Sequence, residues 1–244
     1  DGAIFSAETR WPGGKVAPGA VGPGALVAGR SFSGLIASGM DLSRADFSSG
    51  TLPGALMVEA TLVSVNFSGA TLHSSDFSRA TLTGATLDAI ACKACTLAGA
   101  SLDQISSNQG QFEGADFTSS RATAPKLQGA NLARAKFSRS IWGEADLKGA
   151  NLQGADLSAV EWSRCVLSGA DLSGAILSGA KLTGCVSDGN TRWPPGAAAR
   201  NYGVLEIVAN GEAHGAVLPE GSDWSGRDLH GLRGARMTAG KANW

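Results

Sequence analysis

Residues 145–184 read ADLKG, ANLQG, ADLSA, VEWSR, CVLSG, ADLSG, AILSG, AKLTG. Each five-residue block opens with a small residue, continues with a polar one and places a large apolar residue third. Two small or polar residues close it. The same step holds far upstream. Phe32, Leu42, Phe47, Leu62, Phe77, Leu97, Phe117, Leu132, Trp142, Trp162 and Leu172 all fall on third positions. From residue 25 to residue 189 the chain contains 33 blocks in 165 residues, without an insertion or deletion. Self-similarity of this length implies a solenoid, in which each unit buries its apolar side only by stacking on its neighbours.

A period of five suits neither common element. A helix places apolar residues three and four apart, and a strand places them at every second residue. First and third positions are therefore expected to point inward and the other three outward, as in a short extended piece followed by a turn. The residues named above form the expected core. Glycine recurs at the fifth position (Gly34, Gly54, Gly69, Gly84, Gly99, Gly114), where a turn can require positive φ.

The A(D/N)LxG blocks resemble the pentapeptide repeat family, and the resemblance covers about two-thirds of the chain. It implies an all-β fold, a right-handed quadrilateral parallel β-helix with four blocks per coil. The 33 blocks then make about eight coils, a rod roughly 40 Å long at the strand spacing of ~4.8 Å. Members commonly carry a T-R-W-P segment after the final coil. Here Asn190-Thr-Arg-Trp-Pro194 follows the last block, so Trp193 and Pro194 are expected to cover the C-terminal end, Pro194 lacking the N–H that further pairing needs. A matching Glu8-Thr-Arg-Trp-Pro12 makes Trp11 either an N-terminal cover or the close of a preceding module.

The expected organisation is thus an N-terminal arm over 1–24, the β-helix over 25–189, and a C-terminal plug and tail over 190–244. Within the last, VLEIVA, Asn210-Gly211 and EAHGAVL read as a hairpin or, around 197–209, a short helix. Residues 222–231, SDWSG-RDLHG, are two further blocks, either a partial coil or the start of another tandem unit.

Within the tract, Cys92, Ser107 and Ala122 are undersized at third positions, and Ile90, Ile105 and Pro125 oversized at first positions. Either the volumes compensate or a coil is distorted. Outward second positions are mostly polar, with two apolar exceptions. Leu26, Ile36 and Leu56 lie near one end, and Val166, Ile176 and Val186 near the other. These six are candidate contact residues. Residues 1–24 are expected to cover the first group and 197–218 the second; a partner protein is the rival occupant.

Composition narrows function. The chain has 20 basic and 21 acidic residues, net −1, so it is neither a polybasic nucleic-acid binder nor a strongly acidic mimic. No apolar run is long enough to span a membrane. A processed terminus at Asp1 would imply a periplasmic, secreted or thylakoid-lumen location, and otherwise a cytoplasmic one.

Cys92-Lys-Ala-Cys95 has redox or zinc spacing, yet the register turns both side chains inward, as ordinary filler. Cys165 and Cys185, one coil apart, are within bonding range, with reduced packing the favoured state. The three histidines, His73, His214 and His230, form no ligand motif, so no metal or other cofactor is expected. The second-position aspartates read as a solvated face.

The leading reading is a non-enzymatic scaffold that binds protein partners, including as a bridging subunit of a larger membrane-associated assembly. The alternative is a DNA-mimicking protein that binds a topoisomerase such as gyrase, a role the resemblance also implies. Residues 25–189 carry 14 acidic and 12 basic side chains, net −2. A duplex of that length would carry roughly twenty charges, at one per ~1.7 Å. An enzyme would have to rely on Tyr202, Glu206 and His214, whose spacing is unspecific.

Overall fold

The computed structural model describes residues 22–207 and 213–215. Over 22–189 the chain is a right-handed β-helix with four walls, in which residue i pairs in parallel with residue i+20, from Leu26↔Asp46 to Val166↔Val186. Most pairings are single bridges. One wall lengthens into true strands, β1 (Arg121–Thr123), β2 (Ile141–Gly143), β3 (Glu161–Ser163) and β4 (Lys181–Thr183), stacked in that order.

One set of hydrogen bonds recurs from block to block. The third-position amide donates to the second-position carbonyl one coil on (Leu62 N to Thr81 O, 2.7 Å). The fifth-position amide donates to a fourth-position carbonyl one coil on (Gly84 N to Asp103 O, 2.8 Å). The second-position amide reaches back to a first-position carbonyl (Thr81 N to Ala60 O, 2.9 Å). Only the first-position amide stays within its coil, closing the corner (Ala85 N to Leu82 O, 2.9 Å). This explains why Pro125 is tolerated: at a first position it forfeits a corner bond and no ladder bond, while its carbonyl still accepts from Asp146 N at 2.9 Å.

The corner needs a left-handed residue at the fifth position whatever its type. Gly114 has φ +67°, and 17 non-glycine residues, among them Arg79, Ala94 and Arg139, share that conformation with φ between 51° and 61°. The ladder bonds on both sides hold them there against a local preference of about 1–2 kcal/mol per residue.

First and third positions fill the interior. Leu42, Phe47, Leu62, Phe77, Leu97, Phe117, Leu132, Trp142, Trp162 and Leu172 are fully buried. Phe32 is the exception: it lies in the first coil and is only half-buried, packed edge-on to Phe47 at 6.2 Å. Rings stack along the axis, Phe47 on Phe67 (5.2 Å), Phe117 on Phe137 (4.9 Å) and Trp142 on Trp162 (5.4 Å). Each indole also finds an acceptor. Trp142 Nε1 donates to Ser120 Oγ and Trp162 Nε1 to Ser140 Oγ, both at 3.0 Å, so two buried serines at first positions answer two buried tryptophans.

The odd-sized blocks are compensation and not distortion. Ile105 and Ser107 share one block and both are buried; Ser107 Oγ donates to Leu87 O at 3.1 Å, and the ladder runs through unbroken. Gly110 opens the block that holds Phe112, and an added Cβ there would sit 2.5 Å from that ring. Cys92 and Cys95 are disulfide-bonded across a corner, which corrects their reading as plain filler. Cys165 and Cys185 are not bonded to each other; Cys165 N donates to Cys185 Sγ at 3.3 Å.

The ladder continues past residue 189. Arg192 pairs with Asp171, and Leu172 N donates to Arg192 O at 2.7 Å, which puts Trp193 above Leu172. Trp193 is half-buried and stacks on Tyr202 at 6.3 Å and 2°. Thr191 Oγ1 donates to Leu167 O at 2.9 Å and receives Asp188 N at 3.1 Å, tying the plug to the last coil. A 3-10 helix, Ala199–Tyr202, then leads into β6 (Leu205–Ile207), which pairs in parallel with β5 (Val186–Asp188). β7 (Ala213–Gly215) runs antiparallel to β6. Trp11 and the tail blocks lie outside the described residues.

Candidate contact surface

The outer walls are built from second and fourth positions. Second-position Asp and Asn do local work that a solvated face would not. The carboxylate or amide oxygen accepts the amide two residues on: Ser48 N to Asp46 (2.9 Å), Ser78 N to Asp76 (2.8 Å), Thr118 N to Asp116 (2.8 Å), Gln153 N to Asn151 (3.1 Å). This satisfies the fourth-position amide, which the ladder leaves over, and explains why A(D/N)LxG is the favoured block. The bond also sets charge. At Asp171 the side chain of Ser173 leads in drawing the carboxyl down to about 2, partial burial opposes it, and the Ser173 amide, Gln153 and Arg192 add to the lowering. Asp41 is held below the usual carboxylate range mainly by the Ser43 side chain.

Ion pairs link neighbouring coils: Glu59 with Arg79 (2.8 Å), Glu113 with Lys93 (3.2 Å) and Arg134, Glu144 with Arg164 (2.9 Å), Glu161 with Lys181 (3.0 Å) and Asp171 with Arg192 (3.4 Å). Largely exposed, each contributes about 0–1 kcal/mol. Charge is banded along the rod. Residues 25–120 carry 8 acidic and 4 basic side chains, residues 121–148 carry 2 and 6, and residues 149–189 carry 4 and 2.

The six apolar candidates separate. Leu26 is 63% exposed, Ile36 39% and Leu56 42%, with Ile36 and Leu56 directly paired on one wall and Leu26 on the opposite one. Ile176 is 51% exposed, on the same wall as Ile36 and Leu56 at the opposite end. Val166 is half-buried. Val186 is corrected as a contact residue, since it is only 2% exposed and belongs to the core, but the cover expected from 197–218 is present there: Leu205 of β6 pairs beside it. Ile141, 40% exposed on the wall of β1–β4, is a contact candidate that the sequence reading did not single out.

Other chemistry does not converge. Among the described residues no group of three His, Cys, Asp or Glu side chains is placed to hold a metal ion. Glu206 and His214 stand opposite each other in the β6–β7 register, while Tyr202 is engaged with Trp193. No described helix is long and apolar enough to cross a membrane.

A family model described as Pentapeptide repeats (8 copies) matches residues 41–79, 54–88, 126–160 and 150–186. Similar solved structures include HetL of the cyanobacterium Nostoc sp. strain PCC 7120, a pentapeptide repeat protein involved in heterocyst differentiation regulation. It is 24% identical, with 79% of this chain and 86% of that one covered and a TM-score of 0.38. A trypsin-treated form of QnrB1, a plasmid-mediated fluoroquinolone resistance protein, is 16% identical over 79% and 90% of the two chains, TM-score 0.46. A pentapeptide repeat protein of the Arabidopsis thaliana thylakoid lumen is 30% identical over 55% and 69%, TM-score 0.24. No curated protein matches the chain.

Proposed function

The chain belongs to the pentapeptide repeat family, and on that premise we propose that it is a non-enzymatic scaffold whose outer walls bind another protein. The observation that carries this reading is the exposed apolar pair of Ile36 and Leu56, side by side on one wall. A rod with a complete inner core has no packing need for such side chains outside. A stiff wall also holds them without the ordering cost that a loop would incur on binding. Banded charge around the pair would orient the partner more than it would add affinity.

The same banding weighs against DNA mimicry. Residues 121–148, with 6 basic and 2 acidic side chains, would interrupt a negative track along the rod. A gyrase supercoiling assay separates the readings: strong inhibition or drug protection at stoichiometric protein would favour the mimic.

The direct test is co-purification at low salt from the native source, with the wild-type chain beside Ile36→Asp/Leu56→Asp. A stoichiometric protein companion of the wild type, lost from the variant, is expected. Recovery of both as free monomers would overturn the proposal.

A further inference from the structure

At the C-terminal end three of the four walls carry a further layer of chain. β6 lies on β5, Arg192 on Asp171, and Gly203 O accepts Gly184 N at 2.9 Å beyond β4. Among the described residues the fourth wall, ending at Ile176–Leu177–Ser178, carries none. Along it each third-position amide has its acceptor one coil on: Leu97 to Asp116 (2.6 Å), Phe117 to Lys136 (2.7 Å), Phe137 to Asp156 (2.7 Å), Leu157 to Ile176 (2.9 Å). Among the described residues the amides of Leu177 and Gly179 have no backbone acceptor, and Ala175 O receives no donor.

The chain passes this wall as Pro194-Pro195-Gly196-Ala197 and closes a turn on itself, Ala197 N to Pro194 O at 3.0 Å. Neither proline has an N–H to offer the ladder. What remains is a notch of about 320 Å³, bounded by Ala175, Leu177, Pro194, Pro195, Ala197 and Tyr202. Its floor, Ala175 and Leu177, is among the least covered parts of the buried core at 7% exposure, and Ile176 beside it is 51% exposed. Two ladder donors, one acceptor and an apolar floor in one place fit a peptide in extended conformation with a large apolar side chain.

We propose that this peptide is Ser222-Asp-Trp-Ser-Gly226 of the same chain, which adds a piece of strand to the open edge and sets Trp224 over Leu177. The block has the order of Ala170-Asp-Leu-Ser-Gly174, small, Asp, large apolar, polar, Gly. Ser222-Asp-Trp224 also repeats Ser140-Ile-Trp142, a pattern the interior already accepts with the indole fully buried. Reach is sufficient. From Gly215 to Ser222 an extended chain covers about 24 Å, whereas a wall three residues wide spans about 10 Å. Docking there joins the two outer ends of the C-terminal segment to one coil and shields Ile176.

The test is amide hydrogen exchange on the full chain, with Leu157 N as internal reference because its bond to Ile176 O needs no tail. In the unmodified chain Leu177 and Gly179 amides should be protected. Trp224→Asp, and a chain ending at Gly215, should each speed their exchange by about tenfold or more while Leu157 is unchanged. Free exchange of both amides in the unmodified chain would overturn the proposal, whether or not either variant folds. Protection that survives loss of 216–244 would overturn it too. If that protection rises with protein concentration, the edge belongs to a second copy.

Discussion

The bond between Trp162 and Ser140 is the sharpest place to perturb the interior. Trp162 Nε1 donates to Ser140 Oγ at 3.0 Å, with the serine fully buried and the tryptophan 1% exposed, so water has no path to replace the hydroxyl. Ser140→Ala removes one oxygen and leaves an indole N–H in a dry core. The volume lost is small. The orphaned donor dominates, and unfolding free energy should fall by about 1–3 kcal/mol. Urea unfolding followed by circular dichroism reads this as a lower midpoint at unchanged slope. The tryptophan side closes the cycle. In a Trp162→Phe background the donor is gone, and adding Ser140→Ala should then cost less than about 0.5 kcal/mol, a coupling of about 1 kcal/mol or more. Ser120→Ala beneath Trp142 is an independent replicate, since Trp142 Nε1 and Ser120 Oγ are also 3.0 Å apart. Additive single changes, or a Ser140→Ala loss below about 0.5 kcal/mol, would refute the claim that these serines serve the indoles.

Other outcomes follow from the same coordinates. Gly110→Ala places a Cβ 2.5 Å from the Phe112 ring and 2.6 Å from Ser107 Oγ and should cost about 1–3 kcal/mol in chemical denaturation, with the ring's share of the loss recovered by adding Phe112→Leu. The Cys92–Cys95 bond, both residues 1% exposed, should resist reductant in the native rod and yield to it in denaturant; mass spectrometry after alkylation reads the difference, and equal rates would contradict the burial. Asp171, drawn from 3.8 to about 2 in the folded chain, contributes stability that is present above pH 3.8 and lost as pH falls towards 2. Asp171→Asn should therefore show a shallower loss of unfolding free energy between pH 4 and 2 than the parent.

How far the sequence could be read depended on whether a property repeats. Third-position spacing is strictly periodic, so a solenoid was legible from residue numbers alone, whereas its four walls, and with them the column that stacks Trp142 on Trp162, followed only from the family resemblance. Pairings that cross from one column to another were not. Ser140 and Trp162 lie 22 residues apart, in different positions of different blocks, and no single-column count links them. The aspartate column was visible, but its bond to the amide two residues on depends on a corner conformation that spacing does not show. Val186 looked like an outward residue because the register makes it one. It is covered only because β6 comes back over it after an irregular segment whose length obeys no repeat. Cys92 and Cys95 faced inward as their positions require, and their bond adds a link that the block pattern leaves undetermined.

The left-handed corner has a consequence for how such a rod can vary. At Gly114 an added Cβ would meet nothing within 4 Å, and 17 corners already hold other residues, including Arg44, Glu59, Arg134 and Arg164. A change of side chain at a corner therefore alters neither the filling inside nor the backbone ladder between storeys. The corners form four vertical rails on which the coat of the rod can be rewritten, by selection or by an experimenter placing labels, while the frame beneath keeps its shape.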